Sequence, residues 1–128
     1  MSIVVQQQSQ LKHIPSEKNI IHWVKTTLGK TRLEEITIRI VNKKESAFLN
    51  ETYRHKTGPT NVLSFVYEEK PVLGDIVLCA PLIPDEATWK HLVVHGTLHL
   101  MGYDHIDDKE ADIMESRETK ILRKLRGK

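Results

Sequence analysis

The sequence predicts an α+β fold, in which a small mixed β-sheet packs with helices in a single domain. The chain has 128 residues, enough for one compact domain spanning 1–128 but too few for two. Its composition, 39% hydrophobic and 28% charged, lies in the globular range. Strand-like and helix-like segments alternate along it without a strict strand–helix–strand repeat, which favours a mixed sheet over a regular parallel one.

The first part of the chain predicts a strand, a helix and a second strand. Residues 3–8 are predicted to form a first strand, but the prediction is weak because the segment is rich in glutamine. A helix is expected to begin after Ser16 as its N-cap and to end at Gly29. Isoleucine recurs at every second position of residues 36–41, the period of a half-buried strand.

A second helix is predicted over residues 43–53, with Asn42 able to cap it. Ala47, Phe48 and Leu49 are expected to face inward from this helix. A polar segment containing glycine and proline follows, and this composition predicts a loop.

Two further strands are predicted over residues 62–67 and 76–80, which are rich in β-branched, aromatic and other apolar residues. Residues 68–74 are expected to connect them as a loop. The next helix is predicted to run from Pro84 or Asp85 to residue 101, and a final amphipathic helix to cover residues 108–125.

Several classes of protein are disfavoured by composition. No apolar run approaches the roughly 20 residues of a membrane span, and the first residues lack the features of a signal peptide. The single cysteine, Cys79, excludes an internal disulfide and cysteine-rich zinc sites. A net charge of +2 is weaker than that of a dedicated DNA-binding protein. We therefore expect a cytoplasmic protein without a membrane partner.

Histidine is the residue type that stands out. Four of the seven histidines fall between His91 and His105. His95 and His99 are four residues apart, so on a helix they can bind one metal ion from successive turns. His105 would point away if the helix continued, but Gly102 can end the helix and turn the chain back. The spacing predicts a three-histidine metal site whose fourth position is open to water, as in catalytic sites.

The neighbours of these histidines admit several roles. His91 precedes His95 by four residues and is expected to contact the ligands or to pack, rather than to bind the metal. Tyr103 and Asp104 could orient ligands or cap the turn, and the sequence does not distinguish these roles.

The ligand spacing equals that of the metzincin proteases, but those enzymes place a glutamate general base directly after the first histidine. Gly96 occupies that position here, so peptide hydrolysis is disfavoured. Hydroxide on zinc, whose bound water has a pKa of about 7, could instead attack a phosphodiester if a cation stabilises the phosphate charge. Arg54, at the end of a predicted helix, is the candidate cation. Taken alone, an arginine at the C-terminus of a helix is usually a solvated charge that interacts favourably with the helix dipole.

Three segments resemble the YbeY endoribonucleases, bacterial ribosomal RNA maturation factors. Residues 95–105 (HGTLHLMGYDH) resemble the signature of that family. Residues 59–65 (PTNVLSF) and 73–77 (LGDIV) are similar to its two other characteristic stretches, in the same order. The resemblance extends from about Leu49 to Glu118.

The resemblance implies a zinc ion bound by His95, His99 and His105, with Arg54 as the functional arginine and Asp75 as structural support. It also implies metal-dependent cleavage of single-stranded RNA, in 3′-end maturation of small-subunit ribosomal RNA and in ribosome quality control. The expected partners are ribosomal RNA and the ribosome or its proteins, and not DNA. Other divalent transition metals could replace zinc at histidine ligands.

Two alternatives stay open. One is a metal-dependent peptidase or amidase of metzincin-like ligand geometry that uses a base from elsewhere in the chain. The other is a non-catalytic ribosome-associated zinc module, which requires a fourth protein ligand such as His91. Only residues 81–90 separate Ala80 from His91, where the family usually has a longer helical segment, so we expect a reduced cleft wall there.

Overall fold

The computed structural model describes residues 2–7, 9, 11, 13–104 and 106–126. Within these residues strands and helices alternate over the first four elements; two consecutive strands, a short 3-10 turn and two consecutive helices follow. The elements are β1 (Ser2–Gln7), α1 (Glu17–Leu28), β2 (Leu33–Val41), α2 (Lys43–Arg54), β3 (Val62–Glu69), β4 (Val72–Cys79), the 3-10 turn (Ala80–Leu82), α3 (Glu86–Leu100) and α4 (Asp108–Arg126).

The described strands form one mixed sheet in the order β1-β2-β4-β3. β1 and β4 both pair with β2 in parallel, whereas β3 pairs with β4 in antiparallel fashion. The predicted α+β class with a small mixed sheet is confirmed. The isoleucines at 36, 38 and 40 of β2 are completely buried, as their period-two spacing predicts.

The two faces of the sheet are covered unequally. On one face, β2 and β4 contribute isoleucine and leucine to a core shared with α1, α3 and α4. On the other face, a smaller cluster of Val41, Leu63, Val77 and Cys79 packs against Leu49 of α2. Because successive residues of β4 point to opposite faces, this strand contributes to both cores.

The boundaries of α1 agree with the capping residues in the sequence. The Ser16 hydroxyl accepts a hydrogen bond from the backbone N–H of Asn19 at 3.1 Å. Gly29 follows the last turn with φ at 56° and ψ at −119°, a positive-φ conformation that glycine adopts easily. The predicted start and end of this helix are both confirmed.

α2 differs from its prediction in which residues face inward. Phe48 is 62% exposed, so the expectation that it faces inward is wrong. The buried polar residues of α2 are Ser46 and Asn50, whose side chains hydrogen-bond to the backbone of Thr60 and Gly58 in the following loop. α2 therefore uses polar contacts on this side to hold the loop, and apolar periodicity does not reveal such a face.

The connection between β3 and β4 also differs from the prediction. The strands continue to Glu69 and from Val72, and a turn at Lys70–Pro71 with a cis peptide bond joins them. The predicted loop over residues 68–74 is therefore wrong. Cross-strand pairing and burial of Val72 override the polar and glycine-containing composition of this segment.

α3 lies very close to the sheet because glycines occupy the contact. A Cβ atom added at Gly96 of α3 would lie 3.0 Å from Ile76 Cγ2 on β4. A Cβ atom added at Gly74 of β4 would lie 2.5 Å from the Phe65 carbonyl oxygen and 2.6 Å from Leu100 Cδ2. The two glycines thus set how closely the histidine-bearing helix approaches the sheet. Among the described residues, no helix combines the length and apolar character needed to cross a membrane.

Gly74→Ala is expected to destabilise the fold, because the new methyl group meets a backbone oxygen that cannot move aside without disturbing the strand pairing. Overpacking of this kind costs about 1–3 kcal/mol of unfolding free energy. Urea unfolding followed by circular dichroism measures the effect. Thr37→Ala, at a half-buried position of the neighbouring strand β2, serves as the control for a small change within the sheet. Equal unfolding midpoints for wild type and Gly74→Ala would contradict this account of the contact.

Candidate metal centre

Three histidines form a stripe along α3. His91, His95 and His99 are spaced by four residues, so they lie on successive turns of one helix face. The ring centroids of His91 and His95 are 6.1 Å apart, and those of His95 and His99 are 4.6 Å apart. The remaining faces of α3 are largely buried against the sheet, α1 and α4, which directs this stripe away from the core.

The pair that the spacing predicts to bind a metal is brought together. His95 Nε2 lies 3.1 Å from His99 Nε2. Two nitrogens that each bind one tetrahedral zinc ion at about 2.0–2.1 Å lie about 3.3 Å from each other. The geometry of this pair therefore fits shared coordination of a zinc-sized cation.

A buried carboxylate, which the sequence reasoning missed, stands behind the histidines. Glu118 of α4 is 6% exposed, and its Oε2 lies 2.8 Å from His95 Nδ1 and 3.0 Å from His91 Nε2. Burial by itself raises the pKa of this carboxyl, but the hydrogen bonds and charges of the two histidines outweigh it and lower the pKa to about 2. The hydrogen bond to Glu118 in turn raises the pKa of His91.

The sequence does contain a signal for Glu118. The buried residues of α4 recur at helical spacing as Met114, Glu118, Ile121 and Leu125. An acidic residue within an otherwise apolar stripe requires a polar partner inside the protein. The helical spacing thus indicates that Glu118 is a buried acidic residue with a polar partner, but it does not indicate which residues are its partners.

His91, His95 and Glu118 also form a group that could hold a metal ion, since their candidate ligand atoms lie within 4.8 Å of one another. His95 thus has metal-ligating groups near both ring nitrogens: His99 on the Nε2 side and Glu118 with His91 on the Nδ1 side. Which side holds a metal depends on where the His95 ring carries its proton.

The chain turns sharply after α3, as the sequence predicts. Gly102 has φ at 104°, and its N–H donates to the His99 carbonyl at 3.0 Å. The N–H of Tyr103 donates to the Leu98 carbonyl at 3.1 Å, which completes a Schellman motif. The expected role of Gly102 is confirmed. His105 lies outside the described residues, so its assignment as third ligand stays a prediction.

Arg54 lies at the C-terminal end of α2, where the sequence places it. One guanidinium nitrogen, Nη2, donates to the Ser64 carbonyl on β3, and the guanidinium carbon lies 5.6 Å from the centre of the Phe65 ring. These two contacts hold an exposed arginine side chain against the edge of the sheet.

Arg54, His95 and His99 line one open cavity of about 470 Å³. Lys56 adds a second cationic side chain, and Glu69 and Asp104 add carboxylates. The remaining described lining residues are Asn50, Thr60, Val62, Leu63, Ser64, Val66, Gly102 and Tyr103. Tertiary folding therefore unites the end of α2, the edge strand β3 and the histidine face of α3.

Asp75 lies apart from this cavity. Its Oδ2 accepts a hydrogen bond from the Tyr67 hydroxyl at 2.8 Å, and both residues line a separate groove on the α2 side of the sheet. The hydrogen bond to Asp75 raises the pKa of Tyr67. This environment agrees with a supporting role for Asp75.

Comparison with known proteins identifies the family. The family described as "Endoribonuclease YbeY" matches residues 3–126, nearly the whole chain. The chain belongs to the YbeY endoribonuclease family. The resemblance carried by the three motifs is therefore confirmed, and the YbeY match also covers the N-terminal third, where those motifs are absent.

A solved structure shares the fold of this chain. The chain is similar to the solution structure of TM1509 from Thermotoga maritima, with 26% sequence identity and a TM-score of 0.66. The alignment covers 98% of this chain and 89% of that chain. The YbeY domain described here thus shares its architecture with a protein whose structure was determined by experiment.

Gly102→Ala is expected to lower both stability and metal affinity of this YbeY chain. Its backbone conformation disfavours a side chain, and the new Cβ would lie 3.0 Å from Glu69 Oε2. The strain is expected to cost about 1 kcal/mol or more of unfolding free energy and to move the turn that leads to His105.

Gly29→Ala is the matched control, because Gly29 also ends a helix with positive φ but does not line the cavity. Both variants should unfold earlier in urea, whereas only Gly102→Ala should weaken zinc binding in a competition titration with a chromophoric chelator. Unchanged zinc affinity in Gly102→Ala would contradict a role for this turn in the metal site.

Proposed function

We propose that this chain is a zinc-dependent endoribonuclease that cleaves single-stranded RNA in the cytoplasm. In this proposal residues 1–128 act as a single metal-dependent domain in 3′-end maturation of small-subunit ribosomal RNA and in ribosome quality control. Membership of the YbeY endoribonuclease family supports nuclease activity and a role in ribosomal RNA processing. The ribosome or its proteins are the proposed assembly partners.

The observation that carries the proposal is the shared cavity. It combines a histidine pair suited to a metal ion with a cationic side chain suited to a phosphate. Cleavage of a phosphodiester needs both the metal ion and the cation, because one must promote attack on phosphorus and the other must stabilise the developing negative charge.

The proposed metal ligands are His95, His99 and His105, each contributing one imidazole nitrogen. When bound, zinc would act as a Lewis acid and activate water for attack at neutral pH. Imidazole also accepts nickel, cobalt or copper, so the donor set is compatible with other divalent metals.

Arg54 is the proposed catalytic residue that binds the scissile phosphate. A guanidinium carries several N–H donors in a planar arrangement that matches two phosphate oxygens. The hydrogen bond to Ser64 occupies one guanidinium nitrogen and fixes the plane of the group. The arginine is therefore held before substrate arrives, which reduces the conformational entropy lost on binding.

The position of Gly96 disfavours a peptidase. The protease general base follows the first histidine, but here a Cβ atom added at Gly96 would lie 3.0 Å from Ile76 Cγ2, so a larger side chain would require Ile76 to shift. A non-catalytic zinc module would need four protein ligands around one ion. His91, the candidate fourth ligand, instead forms a hydrogen bond with Glu118.

Cleavage of single-stranded RNA by the purified, zinc-loaded protein is the direct test. His95→Ala and His105→Ala should lose both zinc and cleavage, because each removes a proposed ligand. Arg54→Ala should retain zinc and slow cleavage by about 100-fold or more, the usual cost of removing a group that stabilises transition-state charge.

Two exposed residues away from the cavity offer matched controls: His22→Ala on α1 and Arg123→Ala on α4. Both should cleave RNA at the wild-type rate. Cleavage that persists in His105→Ala and Arg54→Ala would reveal a contaminating nuclease. Hydrolysis of peptides without action on RNA would favour the peptidase, and zinc binding without hydrolysis of either would favour the non-catalytic module.

A further inference from the structure

Glu118 is an ionisable residue in an apolar setting. It lies on the buried stripe of α4 with Met114, Ile121 and Leu125, and 6% of it is exposed. Burying a carboxylate is costly unless it is paired. A partner that satisfies this carboxylate therefore has to be built into the fold, and α3 supplies it.

One oxygen of Glu118 contacts two histidines. Its Oε2 lies 2.8 Å from His95 Nδ1 and 3.0 Å from His91 Nε2, both hydrogen-bond distances. An ionised carboxylate can only accept hydrogen bonds, so the ring nitrogens that face it supply the protons. His95 then carries its proton on Nδ1.

This choice of tautomer determines what the other side of the His95 ring can do. A neutral imidazole protonated on Nδ1 has its lone pair on Nε2. His95 Nε2 is the atom that lies 3.1 Å from His99 Nε2, inside the cavity that Arg54 also lines. The carboxylate on one side thus prepares a metal-binding lone pair on the other.

We propose that Glu118 is a positioning residue for the metal: it fixes the orientation and tautomer of His95 so that Nε2 and not Nδ1 binds the ion. His91, by donating to the same Oε2, restricts the rotation of the carboxylate. This inference rests on the proposed metal site at His95 and His99. In it, neither Glu118 nor His91 is a metal ligand. Contacts of this kind typically contribute about 10- to 100-fold to metal affinity.

The competing arrangement puts the ion among His91, His95 and Glu118, whose ligand atoms lie within 4.8 Å of one another. It would require His95 to lose its proton from Nδ1 and to carry it on Nε2, facing His99. The 53% exposure of the His91 side chain also leaves that side open to bulk water. The two arrangements predict opposite tautomers of His95 and opposite effects of replacing His91.

The tautomer can be measured in the unaltered, metal-free full-length protein. Long-range ¹H–¹⁵N correlation spectra of the imidazole rings at pH 8 should show His95 protonated on Nδ1. Protonation on Nε2 would overturn the proposal, and this measurement depends on no variant that could fail to fold.

Zinc affinity provides the second readout. Glu118→Gln and Glu118→Met should weaken zinc binding by about 10- to 100-fold in competition with a chromophoric chelator. The NMR spectrum of a folded Glu118→Gln variant should show a mixture of His95 tautomers. Glu115→Gln, the same substitution at an exposed position of α4, should bind zinc as wild type does.

His91→Ala decides between the two arrangements. A positioning role predicts at most a few-fold loss of zinc affinity, whereas a loss equal to that of His95→Ala would make His91 a ligand and overturn the proposal. Wild-type affinity in Glu118→Gln and Glu118→Met would overturn it as well. If the wild-type protein cleaves RNA but the Glu118 variants bind zinc as tightly as wild type does, this inference alone is refuted. If the Glu118 variants bind zinc more weakly but the wild-type protein does not cleave RNA, the proposed function alone is refuted.

Discussion

The close contact between α3 and the sheet is the constraint on which the rest of this structure depends. Gly96 meets Ile76, and Gly74 accommodates Leu100 beside the Phe65 carbonyl oxygen. With no side chains at these two positions, α3 can lie flat on β4 and bury most of its circumference. His95 and His99 of the histidine stripe then line the cavity that the edge strand β3 and the end of α2 complete. A bulkier contact would separate Arg54 from the histidines.

Those parts of the fold that local chemistry determines could be predicted from the sequence. Ser16 and Gly29 marked both ends of α1, and the alternating isoleucines of β2 marked a buried strand. The loop that the sequence predicts between β3 and β4 is too long, because pairing between the strands extends them through glycine and polar residues. Phe48 was predicted inward because helical periodicity cannot show that α2 packs through Ser46 and Asn50.

In the candidate site, too, features within one helix could be predicted, whereas contacts between elements could not. The spacing of His95 and His99 lies within one helix, so it could be deduced from helical geometry alone, as could the turn at Gly102. Glu118 comes from a different helix, and its encounter with His91 and His95 depends on how α4 packs on α3. Arg54 required the family resemblance, since helix position alone does not distinguish a phosphate ligand from a solvated charge. The part played by His105 lies beyond the described residues.

The hydrogen bonds of Glu118 join α3 to α4. On the proposed role of Glu118, occupancy of the metal site and docking of α4 would be thermodynamically linked, each favouring the other by the same free energy. Part of the packing energy of Met114, Ile121 and Leu125 would then contribute to affinity for the ion. On the same reasoning, displacement of α4 would weaken metal binding without any change inside the cavity.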